Sequence, residues 1–233
     1  MNTKIYSYVL RYDDGAAPNP FWNVCTLTIC KPQIRKTAEI GDWVIGTGSA
    51  NARITNADKI NLESHLVYAM KVTDKMPLNE YEQYCLKHLK NKIPIWNATD
   101  WRLRMGDCIY FDFALVDKPS MRQGVHNETN RERDLSGANA LLSNHFYYFG
   151  LAAKELPIEL KQLVKQNQGH RIIERQDLVA EFEKWLKQFE RNKLYADPQL
   201  RWEFDREPKD DIISKCAKQH HEDDEDQTCE RLC

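Results

Sequence analysis

The run G-D-W-V-I-G-T-G-S at residues 41–49 decides how this chain is read. A glycine–aspartate pair ahead of β-branched and aromatic residues is turn chemistry feeding a strand. The same entry recurs at Gly106 and Asp107, ahead of C-I-Y-F-D-F-A-L-V. Between them, L-V-Y-A-M-K-V-T at residues 66–73 supplies another strand. Residues 4–10 alternate, with Ile5 and Val9 on one side and Tyr6, Tyr8 and Leu10 on the other. Residues 24–30 alternate too, setting Cys25, Leu27 and Ile29 against Thr26, Thr28 and Cys30. Strands this dense and this early, with repeated turn entries, predict an α+β chain built on a curled, mostly antiparallel sheet or barrel.

Helices come fewer and later. Tyr81, Cys85 and Leu89 are spaced by four, which predicts a helix over 78–90. Residues 177–192 place Leu178, Val179, Phe182, Trp185, Leu186 and Phe189 on one face, with Asp177 as the cap. Pro157 suits the first turn of another helix carrying Leu160, Leu163 and Val164. These helices are expected to cover one side of the sheet. Residues 50–64 and 117–139 are polar and aperiodic, hence loops, and a loop as long as the second is often functional.

The 233 residues carry 42% hydrophobic and 29% charged side chains, enough for a sizeable core. No long apolar run suggests a membrane span or signal peptide. Seven cysteines, an odd number without tight spacing, suggest a reducing cytoplasm and not a disulfide framework. The net charge of −2 is uneven: from Asp205 onward ten acidic residues face five basic ones, leaving the preceding part at +3. That excess suits an anionic ligand but is too small for non-specific DNA binding. We expect one domain over 1–200 and a disordered acidic tail over 201–233. Cys216, His220, His221, Cys229 and Cys233 in the tail match no standard zinc spacing, so no metal site and no cofactor is assigned.

Two segments carry more than packing requires. In D-D-G-A-A-P-N-P-F-W, residues 13–22, Pro18 and Pro20 stiffen the backbone around Asn19. On an exposed loop, the Asn19 amide could read the edge of a flat polar ligand, although turn chemistry alone also accounts for most of the stretch. In S-N-H-F-Y-Y-F-G, residues 143–150, His145 stands among four aromatics. Tryptophans at loops or strand starts, with basic neighbours, suit stacking on a nucleobase, although such tryptophans more often fill cores. The candidate ligand-binding residues are accordingly Asn19, Trp22, Trp43, Ser49, Tyr147 and Lys31. Asp14 and His145 are the candidate acid and base, and Cys30 beside Lys31 is a less favoured nucleophile with no histidine nearby in sequence. Neither a nucleophile elbow nor a phosphate loop is spelled around Ser49.

With these residues in view, the chain resembles the second of the bacterial and phage families called nucleotide modification associated domains. The resemblance rests on Y-S-Y-V-L-R-Y-D-D-G-A-A-P-N-P-F-W, C-T-L-T-I-C-K-P, I-G-D-W-V-I-G-T-G-S, L-V-Y-A-M-K-V-T and L-L-S-N-H-F-Y-Y-F-G, and reaches to about Leu186. It implies an association with systems that make or handle modified DNA bases, and brings no catalytic set with it. The layout is also similar to PUA-like domains, including the EVE and YTH types, which hold a modified base in an aromatic pocket. Two functions follow as expectations. The first is recognition of a nucleotide or modified base, free or within DNA, with Asn19, Trp22 and His145 converging on one pocket. The second is an enzyme acting on a nucleotide through Asp14 and His145. A structural partner in a phage or defence complex is a third possibility.

Overall fold

A computed structural model describes residues 2–54, 57–113, 118–166, 169–201 and 229–232. The first half runs β1 (Ile5–Leu10), β2 (Cys25–Leu27), α1 (Pro32–Thr37), β3 (Trp43–Gly48), β4 (Ala52–Ile54), β5 (Ala57–Ile60), β6 (His65–Lys71), β7 (Asp74–Pro77), α2 (Leu78–His88) and α3 (Trp101–Arg104). It continues with β8 (Tyr110–Phe111), β9 (Ser120–Met121), α4 (Glu128–Ser136), β10 (Asn139–Ser143), β11 (Phe146–Tyr148), β12 (Lys154–Glu155), β13 (His170–Ile173), α5 (Gln176–Leu186), β14 (Lys193–Leu194) and β15 (Cys229–Leu232).

The main sheet has the order β14-β11-β6-β3-β1-β13-β15, with β12 also on β6. Among the described residues, eight of the eleven ladders are antiparallel; β1–β3, β11–β14 and β13–β15 are parallel. Among the described residues the path from β14 to β15 is open, so the sheet does not close into the barrel that the strand pattern allowed. The central parallel pair arises because the chain leaves β1, makes β2 and α1, and returns alongside as β3, with Ile5 facing Trp43 and Leu10 facing Gly48.

Alternation along the central strands makes both faces apolar. Ile5, Trp43, Ile45, Ala69 and Tyr147 meet Leu178, Phe182 and Leu186 of α5. On the other face, Tyr6, Tyr8, Val44, Met70 and Tyr148 meet Cys25, Leu27 and Leu141 of the small sheet β2-β10-β7, together with Ile34 of α1. Covering on one side only was therefore too simple: an apolar face must be buried, and here there are two.

Several local expectations change. Helix α5 ends at Leu186, and Asp177 lies in its first turn, paired with Arg175 at 2.6 Å, while Arg175 is the capping residue. Ile158–Leu163 is a 3₁₀ helix behind Pro157, not an α-helix. The 117–139 stretch holds α4, started by a reciprocal capping box between Asn127 and Asn130. Among the described residues the second glycine–aspartate entry yields the short β8, and Asp107 ahead of it is buried: its carboxylate accepts from Thr26 Oγ1 at 2.5 Å and Tyr81 OH at 2.8 Å. The tail expectation falls largely on 202–228 and 233, outside the described residues; Cys229–Leu232 pairs with β13. Among the described residues, no helix is long and apolar enough to cross a membrane.

Candidate active site

Pro32 fixes the first turn of α1, and the two residues before it take an unusual path. Cys30 and Lys31 have φ of 57° and 43°, left-handed backbone that a side chain disfavours by about 1–2 kcal/mol each. Such strain persists only where surrounding contacts hold it. Here the Cys30 N–H donates to Asp134 Oδ1 at 2.8 Å, and the Cys30 carbonyl accepts from Arg35 Nε at 2.7 Å. Arg35 is fully buried and also donates to the carbonyls of Asp134 and Asn139, tying α1 to the last turn of α4 and the start of β10.

The thiol held there meets a histidine. Cys30 Sγ lies 3.4 Å from His126 Nε2, and His126 Nδ1 lies 2.5 Å from Asp134 Oδ2. Tyr110 OH donates to the same Oδ2 at 2.7 Å. Burial works against the Asp134 charge, but His126, Arg35 and Tyr110 outweigh it and hold the carboxyl below its usual range. A carboxylate accepts only, so Nδ1 is the donor and Nε2 is the ring atom that faces the thiol. Thiol, imidazole and carboxylate are thus connected in one chain, and all three are almost completely buried. Beside it, Lys31 Nζ stands 4.9 Å from the Tyr8 ring centroid, and the Tyr8 and Tyr68 hydroxyls are 2.9 Å apart. His170 stacks on Tyr6; burial first, then Lys31 and Lys165, pushes its imidazole down to about 4.

The other candidates separate into two places. Asn19 is not on an exposed loop but fully buried: Nδ2 donates to the Met105 carbonyl at 2.8 Å, and Oδ1 accepts from Lys92 Nζ at 2.7 Å. Asp14 is buried and accepts from Ala16 N at 3.0 Å. Trp22 is half-buried, with the Arg102 guanidinium 5.5 Å above its ring. Ser49 accepts from Asn51 N at 3.1 Å, anchoring the turn into β4. His145 instead lies on the α5 side, with its ring 5.2 Å from Trp43 and 5.9 Å from Tyr147. Ala16, Phe21 and Trp22 pack in the core on the opposite face. Convergence of Asn19, Trp22 and His145 is therefore overturned, and Asp14 and His145 do not form an acid–base pair. The reason is sheet pleat: the segment after β1 folds over the face that carries Tyr8 and Tyr148, while Trp43 and Tyr147 point the other way.

His126, Asp134, Tyr110 and the inward role of Arg35 escaped the sequence. The available signal was the Asn127–Asn130 cap, which would have placed His126 just ahead of a helix and Asp134 within it. Among the described residues, no group of three or more His, Cys, Asp or Glu is placed to hold a metal ion. Cys216, His220, His221 and Cys233 of the tail lie outside them.

The family described as nucleotide modification associated domain 2 matches residues 2–206. No curated protein and no solved structure matches the chain.

Proposed function

Because the chain belongs to the nucleotide modification associated domain 2 family, we propose that it is an enzyme of a nucleotide modification system that uses Cys30 as a nucleophile on a nucleotide or its base. The observation that supports this reading is the unbroken chain from Cys30 Sγ through His126 to Asp134. His126 Nε2 takes the thiol proton. The sulfur then forms a bond to an electrophilic carbon of the base, and the displaced electron pair receives the proton back from the imidazolium. Sulfur and hydrogen add across one double bond, with no oxidant or reductant, and the reverse steps free the enzyme. Asp134 keeps the imidazole in the accepting tautomer. The base-recognition reading suggested by the PUA-like layout attaches to a different place, on the α5 face.

Iodoacetamide tests the nucleophile. Its carbon takes the sulfur, iodide leaves, and the proton goes to His126. Cys25, Cys85 and Cys108, buried like Cys30, are internal controls for accessibility; burial pushes the Cys25 thiol up to about 12, and the Cys85 contact followed by burial raises Cys108. By peptide mapping, Cys30 should alkylate at least about tenfold faster than these three. His126→Ala should remove that advantage in a protein of unchanged circular dichroism. Equal rates at all four cysteines, or a His126→Ala rate matching the parent, would overturn the proposal.

A further inference from the structure

A second place in the molecule has the build of a ligand site. Between the start of β3, the end of β6, the start of β11 and the end of α5 lies a cleft of about 420 Å³, within the range of small-molecule sites. Its floor is aromatic. The Trp43 and Tyr147 rings stack with centroids 6.3 Å apart, and His145 stands edge-on to Trp43. The floor is also fixed: Trp43 Nε1 donates to Glu183 Oε1 at 2.9 Å, and Lys71 Nζ donates to the same oxygen at 2.9 Å. The rim is cationic, with Lys187 and Arg191 both exposed.

We infer that this cleft is a binding site for a nucleotide, separate from the thiol centre. Glu183 is already engaged by Lys71 and Trp43, so Lys187 and Arg191 give the rim an excess of positive charge. A guanidinium at an exposed rim suits a phosphate, which it can grip with two parallel hydrogen bonds. Half-buried His145 offers a flat face and a polar edge beside it. Burial first, then Arg191 and Lys71, pushes its pKa down, so near neutral pH the ring is uncharged and can lie against a base without repelling Arg191. A planar heteroaromatic ring joined to a phosphate is the ligand that uses both halves of the cleft. A nucleoside lacks the anion, and inorganic phosphate lacks the ring.

The two centres lie on opposite faces of the sheet, Trp43 and Tyr147 in the α5-side core and Cys30 in the other. A nucleotide bound here is therefore recognised without being the thiol's substrate.

Calorimetric titration with the four nucleoside 5′-monophosphates, the matching nucleosides and inorganic phosphate tests this. At least one monophosphate should bind, more tightly than its nucleoside and than phosphate. Arg191→Ala should weaken it by about tenfold or more, the worth of a charge-assisted contact. His145→Ala should weaken monophosphate and nucleoside alike, and Cys30→Ala should leave binding intact. No binding by any monophosphate, affinity equalled by inorganic phosphate, or parental affinity in both Arg191→Ala and His145→Ala would overturn the site. Loss of binding in Cys30→Ala would move the ligand to the thiol centre and overturn it as well. Alkylation of Cys30 involves none of these residues, so the thiol reading stands or falls separately.

Discussion

The guanidinium of Arg35 lies against the bare Cα of Gly137: a Cβ at residue 137 would sit 2.5 Å from Arg35 Cζ and 2.6 Å from Nη2. Gly137 has an ordinary φ of −74°, so the need for glycine here is spatial, not conformational. Arg35 cannot retreat, because it is fully buried and donates to three carbonyls. Gly137→Ala should therefore cost about 1–3 kcal/mol, as overpacking does. It should also slow Cys30 alkylation, since the displaced guanidinium lets go of the Cys30 carbonyl. Urea midpoints and alkylation rates on one sample check both; a variant as stable and as reactive as the parent would remove Arg35 from the account.

Asn19 is predicted to matter for stability and not for ligand choice. Lys92 Nζ donates to Asn19 Oδ1, to the Asn19 carbonyl and to the Val24 carbonyl, all within 2.8 Å, and is fully buried. Burial pushes this lysine down to about 8, with Asp107 opposing. Asn19→Ala takes away one acceptor from a buried ammonium, a loss of about 1.5–3 kcal/mol. Chemical denaturation should show that loss, while monophosphate affinity per folded molecule stays parental.

The acid limb of stability should contain two opposed slopes. His170 titrates near 4 folded and near 6.5 unfolded. The unfolded chain binds more protons between those values, so this group's stabilisation is present above 6.5 and lost as pH falls through 4. Burial, with Asp14 adding, outweighs the bonds from Tyr148 and Gln199 and pushes Asp13 up to about 7 from 3.8. Its contribution is present below 3.8 and lost as pH rises through 7. Relative to the parent, His170→Gln should gain stability as pH falls from 6.5 towards 4. Asp13→Asn should gain as pH rises from 4 towards 7. Urea midpoints across that window measure both differences, and pH-independent differences would refute the assignment.

Phe182, not Trp185, should be the anchor of α5. Phe182 is fully buried against Trp43, with centroids 5.7 Å apart, whereas Trp185 is only partly covered. Phe182→Ala should cost about 3–5 kcal/mol, and Trp185→Ala clearly less, by the same denaturation assay.

Much of the sheet was legible because its strands alternate. Ile5, Trp43, Val44 and Met70 fall on the faces that period two demands. Helix α5 was legible for the same reason at period 3.6. Cys30 could be read as a thiol beside a lysine, and Trp43, His145 and Tyr147 as candidate side chains, with His145 expected beside Asn19 and found beside Trp43 and Tyr147. What joins them could not. Cys30 and His126 are brought together by tertiary packing across a polar segment with no apolar rhythm, and local pattern says nothing of such contacts. Asn19 misled for the opposite reason: flanking prolines suggest an exposed turn, yet its amide is consumed by Lys92 and Met105, partners 73 and 86 residues away.

Distance along the chain also has a consequence for synthesis. The thiol and its base are 96 residues apart, and Cys30 and Asp134 are 104 apart. At roughly 5–20 residues per second, the growing chain carries Cys30 for about 5–20 s before His126 has even been added. During that interval the cysteine has no partner to take its proton and is an ordinary thiol in the nascent polypeptide. Only when α4 docks on α1, and Arg35 closes on the carbonyls of Asp134 and Asn139, do the three groups meet. The chain is made with thiol, imidazole and carboxylate apart, and completing the fold is what connects them.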